Sequence, residues 1–217
     1  MDNRTNYYLL LADLKGSSAL PADQSRSVME LLLPELERQN DRAGDDLVYP
    51  LEVNYGDEFA GLFSSPHKLN QIVSDVRDML RPQGSFRFVV AYGRIGYAGG
   101  TIREMGGPVF ETAARALSAL KKARLYGDWH VGDPETNLAL NAMTNAANTL
   151  VAEMTEYQHE VFRLRKEGLS GQEIAVKLSK NPRSVSNAKK TGHAKIVIQL
   201  EAAIDATLKR LGEKADD

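Results

Sequence analysis

The most informative stretch of the chain reads Leu51-Glu52-Val53-Asn54-Tyr55-Gly56-Asp57-Glu58-Phe59-Ala60-Gly61-Leu62-Phe63. Apolar residues recur on alternate positions in both of its arms, and Gly56 stands between the arms. This pattern predicts two strands joined by a tight turn. Two adjacent carboxylates, Asp57 and Glu58, follow the turn glycine. By themselves they are compatible with residues chosen for turn conformation or with a ligand site at the turn.

Composition narrows the class of protein. Of the 217 residues, 42% are hydrophobic and 26% are charged, as in ordinary globular proteins. The absence of cysteine excludes disulfides and thiolate metal sites, and the four histidines are isolated from one another in the sequence. No apolar run approaches the roughly 18–20 residues of a membrane span, and the first residues lack the layout of a signal peptide. We therefore expect a cytoplasmic protein with no membrane partner.

Residues 1–133 are predicted to form an α+β domain. Its elements are a strand at 7–12, a helix after residue 23, the hairpin strands, a helix from 66, a strand at 86–96, a helix from 108 and a strand at 127–131. The first six follow the ferredoxin-like βαββαβ order, which predicts an antiparallel sheet with helices on one face. Asp23 or Ser25 is expected to cap the first helix, and Pro34 to kink or break it.

The rest of the chain reads as helical. Residues 134–154 form a predicted connecting helix whose small-residue stripe docks on its own domain or on a second subunit. Within 155–217, Thr155 and Ser170 each begin a capping box, and Pro182 begins the next helix. Two short helices joined by a tight turn, the second of them basic, match the plan of a helix-turn-helix domain. A long closing helix follows from residue 194.

Charge is distributed unevenly along the chain. Residues 163–195 contain nine Lys or Arg and only two Asp or Glu, although the whole chain has a net charge of -2. A compact basic segment in an acidic protein predicts a polyanion partner, and we expect DNA to bind through residues 170–192. Because one such module binds weakly, a homodimer is expected. The candidates for base edges are Arg183, Ser184, Ser186 and Asn187, and those for phosphates are Lys180, Lys189 and Lys190.

A second candidate site involves the aspartates. Asp13 ends the first strand and is expected beside Asp57, because the first strand neighbours the hairpin in a ferredoxin-like sheet. Two carboxylates there repel each other unless a cation lies between them, and Mg²⁺ or Mn²⁺ suits such a pair. The loop after Asp13 offers N–H groups to nucleotide phosphates through Lys15, Gly16, Ser17 and Ser18. Glu58 is a further candidate ligand, although strand alternation predicts it on the opposite face. The alternative is that neither aspartate binds a ligand.

Three stretches resemble the motifs of class III nucleotidyl cyclases. They are Ala12-Asp13-Leu14-Lys15-Gly16-Ser17, Gly56-Asp57-Glu58-Phe59-Ala60 and Gly107-Pro108-Val109-Phe110-Glu111-Thr112-Ala113-Ala114-Arg115-Ala116-Leu117. The second is also similar to the diguanylate cyclase signature. Over nearly its whole length the chain most resembles the SatD family, whose members combine a Gly-Asp-Glu-Phe hairpin and a Gly-Pro helix with a C-terminal helix-turn-helix. That family has no settled function.

The resemblance implies a cyclase-like fold with Asp13 and Asp57 as metal ligands and Arg115 as a catalytic residue. Two positions depart from the cyclase pattern. The lysine that reads the purine is replaced by Val53, and the asparagine that acts with the arginine is replaced by Glu111, whose charge opposes a triphosphate. Arg115 can also pair with Glu111, its neighbour one turn earlier on the helix.

Two function classes follow from these patterns. The favoured hypothesis is a DNA-binding transcriptional regulator whose degenerate cyclase-like domain binds a nucleotide or metal, or mediates assembly. The alternative is a metal-dependent nucleotidyl transferase or cyclase that its helix-turn-helix module regulates. A structural partner protein without a ligand is a third reading.

Overall fold

The computed structural model describes residues 5–16 and 21–215. The chain forms two compact units, Met1–Asn141 with Asp205–Asp217 (unit 1) and Ala142–Ile204 (unit 2). The strands are β1 (Asn6–Leu14), β2 (Leu47–Tyr55), β3 (Glu58–Phe63), β4 (Phe86–Arg94) and β5 (Gly127–His130). The helices are α1 (Ala22–Ala43), α2 (Leu69–Leu80), α3 (Pro108–Ala123), α4 (Pro134–Glu153), α5 (Glu156–Lys166), α6 (Gly171–Lys177), α7 (Pro182–Thr191) and α8 (Ala194–Ala215).

The five strands of unit 1 form one sheet in the order β2-β3-β1-β4-β5. The central strand β1 is antiparallel to both β3 and β4, and β4 is parallel to β5. The register sets Asp13 directly opposite Glu58 on one side and Arg87 on the other. Directly opposed residues of antiparallel strands project from the same face of a sheet. Three charged side chains therefore share one face at the end of β1.

Helices cover both faces of this sheet, so the prediction of helices on one face is wrong. Tyr7 and Leu9 pack with apolar residues of α3, including Ala113 and Leu117. The alternate residues of β1, such as Leu10, are also fully buried, and the buried apolar residues of α1 and α2 do not belong to the cluster that α3 forms on the first face. A strand whose two faces are both buried needs other elements packed against each face. The sheet is not purely antiparallel either, because the chain passes through α3 before it adds β5 beside β4.

The first helix also departs from expectation. Pro21 precedes α1 and provides no side-chain cap, so neither Asp23 nor Ser25 is the cap residue. The helix continues through Pro34 to Ala43. Leu32 and Leu36, on either side of the proline, are both buried. Tertiary packing of this apolar stripe outweighs the local loss of one backbone hydrogen bond.

Asparagine side chains hydrogen-bond to the backbone at both edges of the sheet. Asn40 of α1 accepts a hydrogen bond from the Leu51 N–H of β2 at 2.7 Å and donates to the Leu51 carbonyl at 3.0 Å. At the other edge, Asn141 of α4 accepts from the N–H of Trp129 at 2.6 Å. Asn137, one turn earlier, accepts from the N–H of Val131 at 3.0 Å. These carboxamides take the hydrogen bonds that a neighbouring strand would otherwise make.

The two units divide the chain differently from the predicted boundaries at 133/134 and 154/155. The last part of α8, from Asp205, belongs to unit 1. There the Asn70 amide of α2 donates to the Asp205 carboxylate at 2.8 Å. Capping signals locate the ends of helices, whereas the core that each part of a long helix joins depends on packing between distant residues.

Unit 2 agrees closely with the predicted helix ends. Thr155 with Gln158 and Ser170 with Glu173 form complete capping boxes at the starts of α5 and α6. Asn181 caps α7, which begins at Pro182. One apolar cluster joins α5, α6 and α7 and consists of Val161, Leu164, Ile174, Ala175, Val185 and Ala188. Residues 178–181 connect α6 to α7, with Ser179 in a left-handed conformation.

Candidate functional sites

The predicted acidic site in unit 1 contains a lysine. Lys121, in the last turn of α3, places its Nζ 2.6 Å from Asp13 Oδ1 and 3.9 Å from Glu58 Oε1. We call Asp13, Glu58 and Lys121 the carboxylate cluster. The side chain of Asp13 is 8% exposed, whereas that of Lys121 is 42% exposed. The lysine thus reaches from solvent onto a buried carboxylate and supplies the positive charge that the pair of acids requires.

Glu58 lies on the same face as Asp13, so its expected position on the opposite face is wrong. The reason is register, because Asp13 and Glu58 are directly opposed in the ladder. Burial raises the pKa of Glu58; the Lys121 ammonium opposes that shift, whereas the charges of Asp13 and Asp57 add to it. The proton of Glu58 is therefore held more firmly than in an exposed glutamate.

Asp57 belongs to the turn that joins β2 to β3. Its carbonyl accepts a hydrogen bond from the N–H of Leu14 at 3.1 Å, which ties the turn to the end of β1. Gly56 has a φ of 56°, a left-handed conformation that favours glycine. The predicted proximity of the turn to Asp13 is thus present at the level of the backbone.

As arranged, these residues do not fit a divalent-cation site. Mg²⁺ requires near-octahedral oxygen coordination at about 2.0–2.1 Å, with open positions for water or phosphate. Asp13 Oδ1 is instead bonded to a lysine ammonium. In the part of the chain that the structure describes, no group of three or more His, Asp or Glu could hold a metal ion.

The predicted phosphate loop is only partly described. The Lys15 N–H donates to the Ser85 carbonyl at 2.7 Å, and its Nζ lies 4.2 Å from the centre of the Tyr126 ring. Gly16 follows with a φ of 74°. Burial and the nearby guanidinium of Arg87 lower the pKa of Lys15. The Arg87 Nε is buried and has no hydrogen-bond acceptor among the described residues. Ser17 and Ser18 lie outside the described residues.

Arg115 is separate from the carboxylate cluster. It is exposed on α3, as is Glu111 one turn earlier.

Lys121 was missed by sequence reasoning, although its position contains a usable signal. It follows the buried residue Leu117 by one helical turn, so it continues the stripe that faces the sheet. A lysine at the end of such a stripe can reach a carboxylate at the edge of the sheet.

The basic helix α7 of unit 2 has two distinct sides. Val185 and Ala188 are buried. Arg183, Ser186, Asn187 and Lys190 are all exposed and recur at the spacing of one helix face. We call these four residues the α7 face. Lys180, in the connection before α7, is also exposed.

Two predicted DNA contacts do not belong to the α7 face. The Ser184 hydroxyl donates to the Tyr157 hydroxyl of α5 at 3.2 Å, inside unit 2. Lys189 is half-buried, and its ammonium lies where a side chain at Gly171 would be, 3.2 Å from the position of a Cβ there. Both residues therefore take part in packing the three helices. Spacing along α7 separates them from the exposed residues, whereas composition alone does not.

Several other cations of the basic segment have partners within unit 2. Lys166 pairs with Glu201 at 3.3 Å, and Lys177 pairs with Glu167 at 3.7 Å. Arg165 donates to the Leu169 carbonyl at 2.9 Å. Arg183 and Lys190 of the α7 face have no ion pair within the described part of the chain. Among the described residues, the exposed side chains of Lys180, Arg163 and Lys195 likewise have no ion pair, so α7 carries part of the unpaired positive charge of this segment.

Sequence comparison identifies the family. The model of the SatD family matches residues 7–207. The chain belongs to the SatD family. This match confirms the family resemblance that the order and spacing of the motifs indicated, because it spans both units of the chain. No protein of curated function matches it by sequence. Among the described residues, no helix is both long and apolar enough to cross a membrane.

Solved structures show only weak similarity. One is a bacterial light-regulated adenylyl cyclase (11% identity, TM-score 0.41), where the match covers 58% of this chain and 42% of that one. Another is the guanylyl cyclase Cya2 (15% identity, TM-score 0.36), where the match covers 53% of this chain and 70% of that one. A third is a regulator of polyketide synthase expression from Bifidobacterium adolescentis (15% identity, TM-score 0.26), where the match covers 98% of this chain and 82% of that one. TM-scores this low do not establish a shared fold.

Proposed function

We propose that this protein is a cytoplasmic DNA-binding transcriptional regulator, with α6 and α7 acting as a helix-turn-helix. The observation that carries the proposal is the α7 face. It presents two cations and two polar side chains to solvent on one side of a helix whose other side is packed. A recognition helix needs this division, because it must be held rigidly while its outer residues enter the major groove.

The residue types on this face suit double-stranded DNA. Arginine donates two hydrogen bonds to guanine, and asparagine pairs in the same way with adenine. Arg183 and Asn187 are one helical turn apart and can contact neighbouring base pairs. Lys190 and Lys180 suit phosphates. Ser184 and Lys189 are withdrawn from the proposed contact set because they pack within unit 2. A homodimer that reads two half-sites would supply affinity that a single module lacks.

Unit 1 is proposed to sense a nucleotide or to assemble the protein. Support for a nucleotide comes from Lys15 and Arg87, two cations held close together at the start of the loop after β1. An anionic phosphate would relieve their repulsion. The transferase alternative receives less support, because Glu111 and Arg115 are exposed on α3 and Lys121 is bonded to Asp13.

Selection from a pool of random duplexes, followed by fluorescence anisotropy, tests the DNA proposal. The Arg183→Ala/Asn187→Ala variant should lose sequence preference, at roughly 1–3 kcal/mol for each base contact. Lys190→Ala should weaken binding to every sequence and reduce the salt slope by about one. Lys122→Ala, which removes an exposed lysine of α3, is the matched control. Failure of the natural chain to bind any duplex, with or without nucleotides, would make the proposal wrong.

A further inference from the structure

The carboxylate cluster raises the question of which cation balances it. Asp13 and Glu58 are neighbours in the ladder, and Asp57 is close enough for its charge to act on Glu58. Three acids at one end of a sheet repel one another and are costly to keep ionised without a compensating charge. The resemblance to cyclases supplies that charge as a divalent metal. The structure instead supplies it from α3.

We infer that the Lys121 ammonium takes the place of a divalent cation, so that the natural chain binds neither Mg²⁺ nor Mn²⁺ between Asp13 and Glu58 of the carboxylate cluster. The geometry that points to this is the 2.6 Å bond from Lys121 Nζ to Asp13 Oδ1, with Glu58 Oε1 at 3.9 Å. The ammonium thus stands between the two acids. A metal that used the same oxygen would have to displace it or accept its repulsion at short range.

The covalent link of Lys121 to the fold favours the lysine in this competition. It extends from α3, whose residues Ala113, Leu117 and Leu120 are packed on the sheet. Its ammonium is therefore present at a high effective concentration beside Asp13, whereas a free ion must be captured from solution. Mg²⁺ also gives up its bound water reluctantly, so a buried oxygen already engaged in a charge-assisted hydrogen bond is a poor ligand for it.

This inference assigns a role to Lys121 that the motifs do not contain. The lysine holds the end of α3 against the end of β1 by an ion pair with the buried side chain of Asp13. The Gly-Asp-Glu-Phe hairpin and the Asp13 motif then persist in this chain as an ion-paired cluster in place of a metal site. The inference is independent of DNA binding by unit 2, and either can be wrong without the other.

Titration of the purified full chain with MnCl2, followed by electron paramagnetic resonance of free Mn²⁺, provides the test. Three variants are needed: Lys121→Met removes the ammonium, Glu58→Gln removes one of its acids, and Lys122→Met is the matched control. The natural chain and Lys122→Met should show no bound Mn²⁺ that is absent from Glu58→Gln. Lys121→Met should gain one bound Mn²⁺ per chain, and the gain should disappear in Lys121→Met/Glu58→Gln.

Thermal unfolding in MnCl2 gives a second measurement. The Tm of Lys121→Met should rise by a few degrees as Mn²⁺ is added, whereas that of the natural chain should not respond. The inference is overturned if the natural chain binds one Mn²⁺ that is lost in Glu58→Gln. It is also overturned if Lys121→Met, folded by circular dichroism, binds none. Should Lys121→Met fail to fold, the comparison of the natural chain with Glu58→Gln still decides the question.

Discussion

The carboxylate cluster of unit 1 and the α7 face of unit 2 are both groups of charged residues, but their charges are balanced differently. In the cluster, Lys121 bonds to Asp13 and lies close to Glu58. On the α7 face, Arg183 and Lys190 are exposed and have no ion pair among the described residues. Charge that is balanced within the fold contributes to stability, whereas charge left unbalanced on a surface is available to a partner.

Loss of Lys121 should produce the largest change in stability. Lys121→Met leaves Asp13 buried without its counter-charge, which we expect to lower the free energy of unfolding of unit 1 by about 1–2 kcal/mol. That range lies between an exposed pair and a fully buried one, because Lys121 is half exposed. Urea unfolding followed by the fluorescence of Trp129, the only tryptophan and fully buried in β5, measures the change.

Lys122→Met, next to it on the exposed side of α3, is the control and should change this free energy by less than about 0.5 kcal/mol. Equal effects of the two substitutions would mean that Lys121 is an ordinary surface lysine. The proposed difference between the cluster and the α7 face would then disappear.

Two serines of α7 sharpen the comparison within a single helix. Ser184→Ala removes the hydrogen bond to Tyr157 and should lower the stability of unit 2 by about 0.5–1.5 kcal/mol, with unchanged DNA affinity. Ser186→Ala, on the α7 face, should leave stability unchanged and weaken DNA binding. Circular dichroism during urea unfolding and fluorescence anisotropy measure the two effects. If Ser184→Ala weakened DNA binding and spared stability, the division of α7 into a packed and an exposed side would be contradicted.

His130 offers a smaller, titratable case of charge balanced within the fold. Its Nε2 lies 3.0 Å from Asp128 Oδ2. That hydrogen bond and the charge of Asp128 raise the pKa of His130, although partial burial opposes the shift. A raised pKa stabilises the folded state below the unfolded value of about 6.5, and this stabilisation is lost as pH rises through the folded pKa. The free energy of unfolding of unit 1 should therefore decrease over this interval.

Comparison with His130→Gln isolates this contribution, because glutamine keeps a hydrogen-bonding side chain but does not titrate near neutral pH. The difference in Tm between about pH 5.5 and about pH 8 should be smaller in His130→Gln than in the natural chain. Because His130 is partly exposed, salt should weaken the effect. A pH dependence that is the same in both proteins would exclude His130 as its source.

Sequence reasoning was most successful where the signal is local. The capping boxes at Thr155 and Ser170 and the helix start at Pro182 are confirmed. Each depends on contacts within a few residues, so the pattern contains all the interacting groups. The first helix shows the limit of such signals. Packing of Leu32 and Leu36 extends α1 through Pro34, and the expected cap residues are not used.

The candidate site in unit 1 could be predicted only in part. Asp13 and the hairpin turn were correctly expected to be neighbours, because strand order follows from the βαββαβ plan. The face of Glu58 and the presence of Lys121 depend on register and on the placement of α3. A shift of one residue in a ladder moves every side chain to the other face, and no local pattern specifies that shift.

By itself, the sequence determined the family, the order of the elements, the helix caps and the concentration of basic residues in the C-terminal segment. Only the tertiary structure decided which charged and polar side chains have partners within the fold. It brought Lys121 to Asp13 across more than a hundred residues and turned Ser184 inward while Arg183 remained exposed. The physical reason is that composition and spacing record which groups a chain contains, whereas pairing of distant charges depends on register and helix packing.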